Sequence, residues 1–165
     1  MPPVILAVED NAVTSATIAR EFSQSGFEVH IAASAEEAFD QLEGGLKCDM
    51  IILDFHLPLE QGPEFYRRLG MNPKYQSLAI IPFTSRIETS SSTSTCLTTD
   101  YASSLQADPK ERERSPIVSK GFTDQLTRLP ASLYVAVAET LRRQGVQWPA
   151  AFPLRMREAF AAMQQ

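Results

Sequence analysis

The stretch Asp49-Met50-Ile51-Ile52-Leu53-Asp54-Phe55-His56-Leu57-Pro58 constrains the fold more than any other part of the chain. Four apolar residues in succession, without alternation, describe a strand covered on both faces. Such strands belong to parallel sheets with helices above and below. Pro58 argues against any continuation of the strand, because proline has no N–H to give a sheet ladder. Asp54 therefore lies where the strand leaves the sheet. Ligands of open parallel sheets bind just outside the carboxyl ends of the strands. Taken alone, this acid also reads as a simple turn residue. Its meaning depends on what the other strand ends bring beside it.

The rest of the chain supplies those ends. Val4-Ile5-Leu6-Ala7-Val8 is a second apolar run, and it closes on Glu9-Asp10-Asn11. Ala12 to Gln24 has helical spacing, with Ile18 and Phe22 four apart, and Gly26 stops it. Residues 27–31 alternate as an edge strand does, with His30 as a surface residue lacking an evident partner. Ser34 with Glu37 forms a capping box for a helix that runs to about Glu43 and stops at Gly44-Gly45. The central strand at 49–53 follows. A third helix starts at Gly62-Pro63, carries Phe65, Tyr66 and Leu69, and ends near Gly70 and Pro73. Residues 78–84 form a fourth strand, in which Pro82 predicts a short, bulged or poorly paired end. Pro116 to Ser119 is a brief fifth strand leading into Lys120-Gly121-Phe122. Pro130 opens a last helix with Leu133, Val137 and Leu141 on one face, closed by Gly145. Strands alternating with helices predict a doubly wound α/β sheet.

Between the fourth and fifth strands the pattern loosens. Residues 89–99 are nearly all Ser or Thr and carry little to bury. A weak helix with Leu97, Tyr101 and Leu105 on one face follows, and Lys110 to Arg114 reads as a solvated charge run. After Gly145, Trp148 to Pro153 reads as a linker and 154–163 as a short amphipathic helix bearing Met156, Phe160 and Met163. Such a face docks on its own domain, or else serves a homodimer or a partner.

The totals exclude several classes. With 165 residues the chain makes one domain with an appendage, and its net charge of −5 argues against non-specific nucleic-acid binding. Cys48 and Cys96 have no metal-ligand spacing, and Cys48 reads as packing. No apolar run reaches membrane-spanning length and no signal segment opens the chain, so the expectation is a cytoplasmic protein without membrane contact.

Side by side, the strand ends offer Glu9 and Asp10, Asp54, Thr84 and Lys120. Three carboxylates suit a hard dication such as Mg²⁺. A hydroxyl and an ammonium beside it suit a phosphoryl group, and an Asp held there can attack phosphorus. At this point the sequence resembles the receiver domains of two-component response regulators. The motifs are Val-Glu-Asp-Asn at 8–11, Leu-Asp-Phe-His-Leu-Pro at 53–58 with Gly62, Phe-Thr-Ser at 83–85 and Ser-Lys-Gly-Phe at 119–122. The resemblance covers about residues 3–145, with a long insertion around 86–114, and leaves 146–165 as linker and short helix. It implies a five-stranded parallel sheet of flavodoxin-like order 2-1-3-4-5, with helices on both faces.

The resemblance also implies roles. Asp54 would be the phosphoacceptor and a metal ligand. Asp10 would hold Mg²⁺ directly, with Glu9 beside it and the backbone carbonyl of His56 completing the set. Lys120 would pair with Asp54 and then with the phosphoryl oxygens. Thr84 would hydrogen-bond the phosphoryl group, helped by the Ser85 N–H. The side chains of His56 and Arg86 would edge the approach and tune loss of the phosphate.

Three departures bear on signalling rather than on chemistry. Gly121 follows the lysine where the family has proline after a cis bond. Ile117 stands where the family has an aromatic switch residue. The segment between Thr84 and Lys120 is long, so reordering of residues 86–108 is the expected readout. The expected function is a stand-alone response regulator receiver, not an enzyme acting on an external substrate. It would be phosphorylated on Asp54 by a histidine kinase or a histidine phosphotransfer protein, and it would signal through protein contacts. The alternatives are a receiver-like interaction module that works without phosphate, and a hydrolase of the haloacid dehalogenase type. The latter lacks its second Asp, because position 56 is His.

Overall fold

The computed structural model describes residues 2–85, 117–121 and 125–146. The expectations for the 86–114 insertion, Arg86, Tyr101 and the helix at 154–163 fall outside the described residues. Within them the chain runs β1 (Val4–Val8), α1 (Ala12–Gln24), β2 (Glu28–Ala32), α2 (Ala35–Glu43), β3 (Met50–Leu53), α3 (Gly62–Met71), β4 (Ala79–Thr84), β5 (Val118–Ser119) and α4 (Ala131–Arg143). All strand pairs are parallel, and the order is β2-β1-β3-β4-β5. This is the doubly wound order that the motifs implied, with β3 in the middle and β2 at an edge.

The unbroken apolar runs explain the layering. Successive strand residues point to opposite faces. Ile5, Ala7, Met50, Ile52, Ile81 and Phe83 therefore meet Ile18 and Phe22 of α1 and Leu133, Tyr134, Val137 and Leu141 of α4. The intervening residues Leu6, Val8, Ile51, Leu53 and Ile80 meet Ala35, Ala38 and Leu42 of α2 and Phe65, Tyr66 and Leu69 of α3. Both faces of β1 and β3 are filled, so neither strand has room for alternation.

Side-chain caps set where α1 and α2 begin. The Asn11 carboxamide oxygen accepts from the N–H groups of Val13 at 3.0 Å and Thr14 at 3.2 Å. The Ser34 hydroxyl accepts from the Glu37 N–H at 3.1 Å, and the Glu37 carboxylate accepts from the Ala33 N–H at 3.1 Å. The reciprocal cap expected from the sequence is therefore present, with its second bond one residue earlier than the usual box.

Two local expectations are corrected. β4 is neither short nor bulged, since Pro82 stays in register with Leu53. The reason is orientation. The Thr84 carbonyl accepts from the Lys120 N–H at 2.9 Å, so Thr84 and, two residues earlier, Pro82 face β5. β5 begins only at Val118, opposite Phe83, and the ladder to β3 loses no donor. His30 does have a partner: its Nε2 lies 2.6 Å from Glu28 Oε1, on the exposed edge strand.

Residues 126–129, downstream of Lys120, are tied down by α1. The Thr17 hydroxyl donates to the Leu126 carbonyl at 2.6 Å, and the Leu126 N–H donates to the Thr14 hydroxyl at 2.9 Å. The Leu129 N–H donates to the Glu21 carboxylate at 3.1 Å. These bonds fix the start of α4 against the first helix.

Phe22 is the packing hub of that layer, with ring centroids 5.3 Å from Phe27 and 5.0 Å from Tyr134. Phe22→Ala is expected to cost about 3–5 kcal/mol, as large core truncations do. Met71→Ala, at a residue 77% exposed, should stay within about 0.5 kcal/mol. Urea unfolding midpoints of the two variants check the contrast.

Candidate functional site

Every element of the site hangs from a strand end. Glu9 and Asp10 follow β1, Asp54 follows β3, Thr84 ends β4 with Ser85 after it, and Lys120 follows β5. Parallel pairing of β1 with β3, and of β4 with both β3 and β5, brings these ends to one rim. Glu9, Asp54, Thr84, Ser85 and Lys120 are all buried, whereas Asp10 is exposed.

Lys120 is the centre of the arrangement. Its ammonium contacts Glu9 Oε2 directly and stands 3.4 Å from Asp54 Oδ2, with both partners buried. Its nearer partner is thus Glu9, which the sequence had marked only as a metal-side acid. The other Glu9 oxygen accepts from the Asn11 N–H at 3.1 Å. Asp54 Oδ1 accepts from the His56 N–H at 3.1 Å. His56 itself is half-buried beside the site. The Thr84 hydroxyl donates to the Ser85 carbonyl at 3.2 Å.

The electrostatics follow from crowding. Burial and the neighbouring Asp54 charge push the Glu9 carboxyl from its ordinary 4.5 up to about 8, against the pull of Lys120. Asp54 is also raised, chiefly by burial, against the pull of Lys120, the His56 N–H and a hydrogen bond with Glu9. One ammonium does not offset two buried carboxylates and a third at the mouth. Carboxylate oxygens of Glu9, Asp10 and Asp54 all lie within 4.8 Å of one another. An all-oxygen, acid-rich donor set open to water on the Asp10 side fits a hard divalent cation.

The loop after Asp54 is held by close backbone contact. The Gly62 N–H donates to the Phe55 carbonyl at 3.1 Å. A Cβ on Gly62 would stand 2.3 Å from the Asp54 carbonyl oxygen and 2.6 Å from the Phe55 Cα. Glycine is required at this position for approach, since any side chain would push the Asp54 backbone away. Leu59 in the same loop takes φ 62° and is 84% exposed. No sequence signal marks a leucine for that left-handed conformation. Gly121 takes φ 85°, which lets the chain turn after Lys120 without proline. Ile117 is half-buried against the layer formed by α2 and α3.

Comparison with known proteins agrees with this fold. The model of the response regulator receiver domain matches residues 5–106, and the chain belongs to that family, the receiver domains of two-component response regulators. It is 38% identical over 90 residues to the phosphate regulon transcriptional regulatory protein PhoB of Rhizobium meliloti (strain 1021), a match covering 54% of this chain and 39% of that protein. It is 30% identical over 80 residues to the two-component response regulator ORR11 of Oryza sativa subsp. japonica, covering 48% of this chain and 54% of that protein. Each match spans only part of the relative. Among solved structures, the signal receiver domain of an HD domain-containing protein from Pseudomonas fluorescens Pf-5 superimposes with a TM-score of 0.66 at 23% identity, covering 88% of this chain and 98% of that one. The chemotaxis protein CheY4 of Vibrio cholerae gives 0.56 at 20% identity, covering 87% and 98%. These structures share the fold.

Two predictions follow from the crowded acids and the tight loop. Between 4.5 and about 8 the folded chain keeps on Glu9 a proton that the unfolded chain has lost, so stability without divalent cation falls as pH rises through that window. The raised Asp54 acts in the same direction. Thermal unfolding in chelator at about pH 6 and about pH 8 should give the lower midpoint at the higher pH; an equal or higher midpoint there would contradict it. Gly62→Ala should cost about 1–3 kcal/mol by overpacking against the Asp54 backbone, measured by chemical denaturation.

Proposed function

We propose that this receiver accepts a phosphoryl group on Asp54 from a histidine kinase or a histidine phosphotransfer protein. The observation that carries the reading is Lys120, buried between Glu9 and Asp54, with Asp10 open to solvent at the same rim. An Asp54 carboxylate oxygen attacks phosphorus, the phosphorus–nitrogen bond of the donor phosphohistidine breaks, and neutral imidazole leaves after taking a proton. Hydrolysis reverses the state: water attacks phosphorus, the acyl phosphate bond breaks, and inorganic phosphate departs.

Asp10 and Asp54, with Glu9 and the His56 backbone carbonyl, are the groups that would hold Mg²⁺, which supplies positive charge to the phosphoryl oxygens when bound. Lys120 adds a second positive charge on the protein side. It needs only to shift its ammonium from Glu9 towards the phosphoryl oxygens. The Thr84 hydroxyl and the Ser85 N–H donate to those oxygens, and positioning with charge neutralisation carries the transfer. His56 flanks the approach and sets how readily water reaches phosphorus; the same tuning role is proposed for Arg86, which lies outside the described residues. The output is contact with another protein, inside the cytoplasm. Among the described residues no helix is long and apolar enough to cross a membrane.

Incubation with acetyl phosphate and Mg²⁺, followed by intact mass measurement, tests the reading. One added phosphoryl group is expected, lost in Asp54→Asn and in chelator. Asp10→Asn should raise the Mg²⁺ concentration needed. No mass gain on the folded wild-type protein would favour the interaction module that works without phosphate.

A further inference from the structure

Lys120 carries its charge at the end of a flexible stem, so the place of the ammonium depends on how firmly the backbone beneath it is held. That backbone leaves β5, whose two residues pair with Phe83 and Thr84 of β4. A ladder this short fixes little by itself. The Lys120 N–H adds a bond to the Thr84 carbonyl at 2.9 Å. At the far end of the side chain the ammonium contacts Glu9, stands 3.4 Å from Asp54 Oδ2 and lies over the Phe83 ring, 5.3 Å from its centroid. The residue after Lys120 is fastened too. The Gly121 N–H donates to the Ser119 hydroxyl at 3.0 Å. That bond reaches back two residues to a side-chain oxygen and closes a small ring around Lys120.

Gly121 is shaped for this bond. It takes φ 85°, and a Cβ built on it would meet no heavy atom within 4 Å. The glycine is therefore required for its backbone angle and not for room. A proline there would hold φ near about −65° and would remove the donor N–H. Ser119 and Gly121 are complementary halves of one turn: the serine supplies the acceptor, the glycine the donor and the angle. Ser119 is exposed whereas Lys120 is buried. The serine thus stands on the outer side of the chain, while the lysine enters the acid cluster.

We infer that Ser119 is a positioning residue for phosphoryl transfer: its hydroxyl, through the Gly121 N–H, holds the Lys120 backbone so that the ammonium meets Asp54 and the phosphoryl oxygens. This rests on Asp54 being the phosphoacceptor, as proposed above. The bond is exposed, so it adds little to stability. Its effect falls on geometry. A charge-stabilising group speeds transfer only when it is already aimed at the place where charge develops, and a small displacement of its backbone forfeits that aim.

The test is the rate of phosphoryl gain from acetyl phosphate, followed by intact mass over time across a Mg²⁺ series. Ser119→Ala and Ser119→Val should slow the gain several-fold. Ser119→Thr, which has the shape of Val but keeps a hydroxyl, should restore the wild-type rate. The Mg²⁺ concentration for half-maximal rate should stay unchanged, because the carboxylates of Glu9, Asp10 and Asp54 would hold the cation. Thermal midpoints should stay close to that of the wild type. In a Gly121→Pro background, which lacks the N–H, Ser119→Ala should slow the reaction no further; if Gly121→Pro does not fold, the contrast between Val and Thr at position 119 decides alone. Equal rates in the wild type and Ser119→Ala overturn the inference, as does equal slowing in Ser119→Thr and Ser119→Val. Slowing by Ser119→Ala that persists in folded Gly121→Pro, or that is matched by a large fall in thermal midpoint, also overturns it. A wild type that gains no phosphoryl group overturns the phosphoacceptor reading itself, and the inference with it.

Discussion

One buried ammonium among too many carboxylates governs this structure. Lys120 is in contact with Glu9 and near Asp54, and Asp10 adds a third negative charge at the surface. Burying unbalanced charge is costly, and the protein answers in part by holding a proton on Glu9 well above its ordinary range. A site built this way is unfinished electrostatically. On the proposed function, a divalent cation would complete it and in turn make it hospitable to a phosphoryl group. On that reading, the crowding that weakens the protein without metal is what would fit it for phosphate chemistry.

The fold exists to hold that imbalance in place. Parallel pairing aligns the carboxyl ends of β1, β3, β4 and β5, and the two core layers keep those strands rigid. Gly62 then presses against the Asp54 backbone so closely that no side chain fits between them. On the far side, Thr14, Thr17 and Glu21 of α1 fasten residues 126–129, downstream of Lys120. Residues 126–129, downstream of Gly121, are thus held by hydrogen bonds to α1.

Much of this was legible in the sequence because the signals are local. Unbroken apolar runs at 4–8 and 50–53 mark doubly covered strands, and each closes on its site acid. Ser34 with Glu37 marks a helix start. What escaped the sequence is what depends on partners distant along the chain. Pro82 looks disruptive until its facing towards a two-residue β5 is known. Glu9 and Lys120 are far apart in the chain, and only the sheet order makes them nearest partners. His30 finds Glu28 because residues two apart on a strand share a face. Leu59 in a left-handed turn has no compositional cue at all.

The central claim is that the Glu9, Asp10 and Asp54 rim is completed by a divalent cation. The most direct measurement is the rise in thermal midpoint on adding Mg²⁺, at about pH 6 and about pH 8, for the wild type and Asp10→Asn. Binding to the folded state alone stabilises it, and deprotonated carboxylates bind best. The account predicts a rise in the wild type that is larger at the higher pH and largely lost in Asp10→Asn. No rise, or one equal in the two proteins, would contradict it.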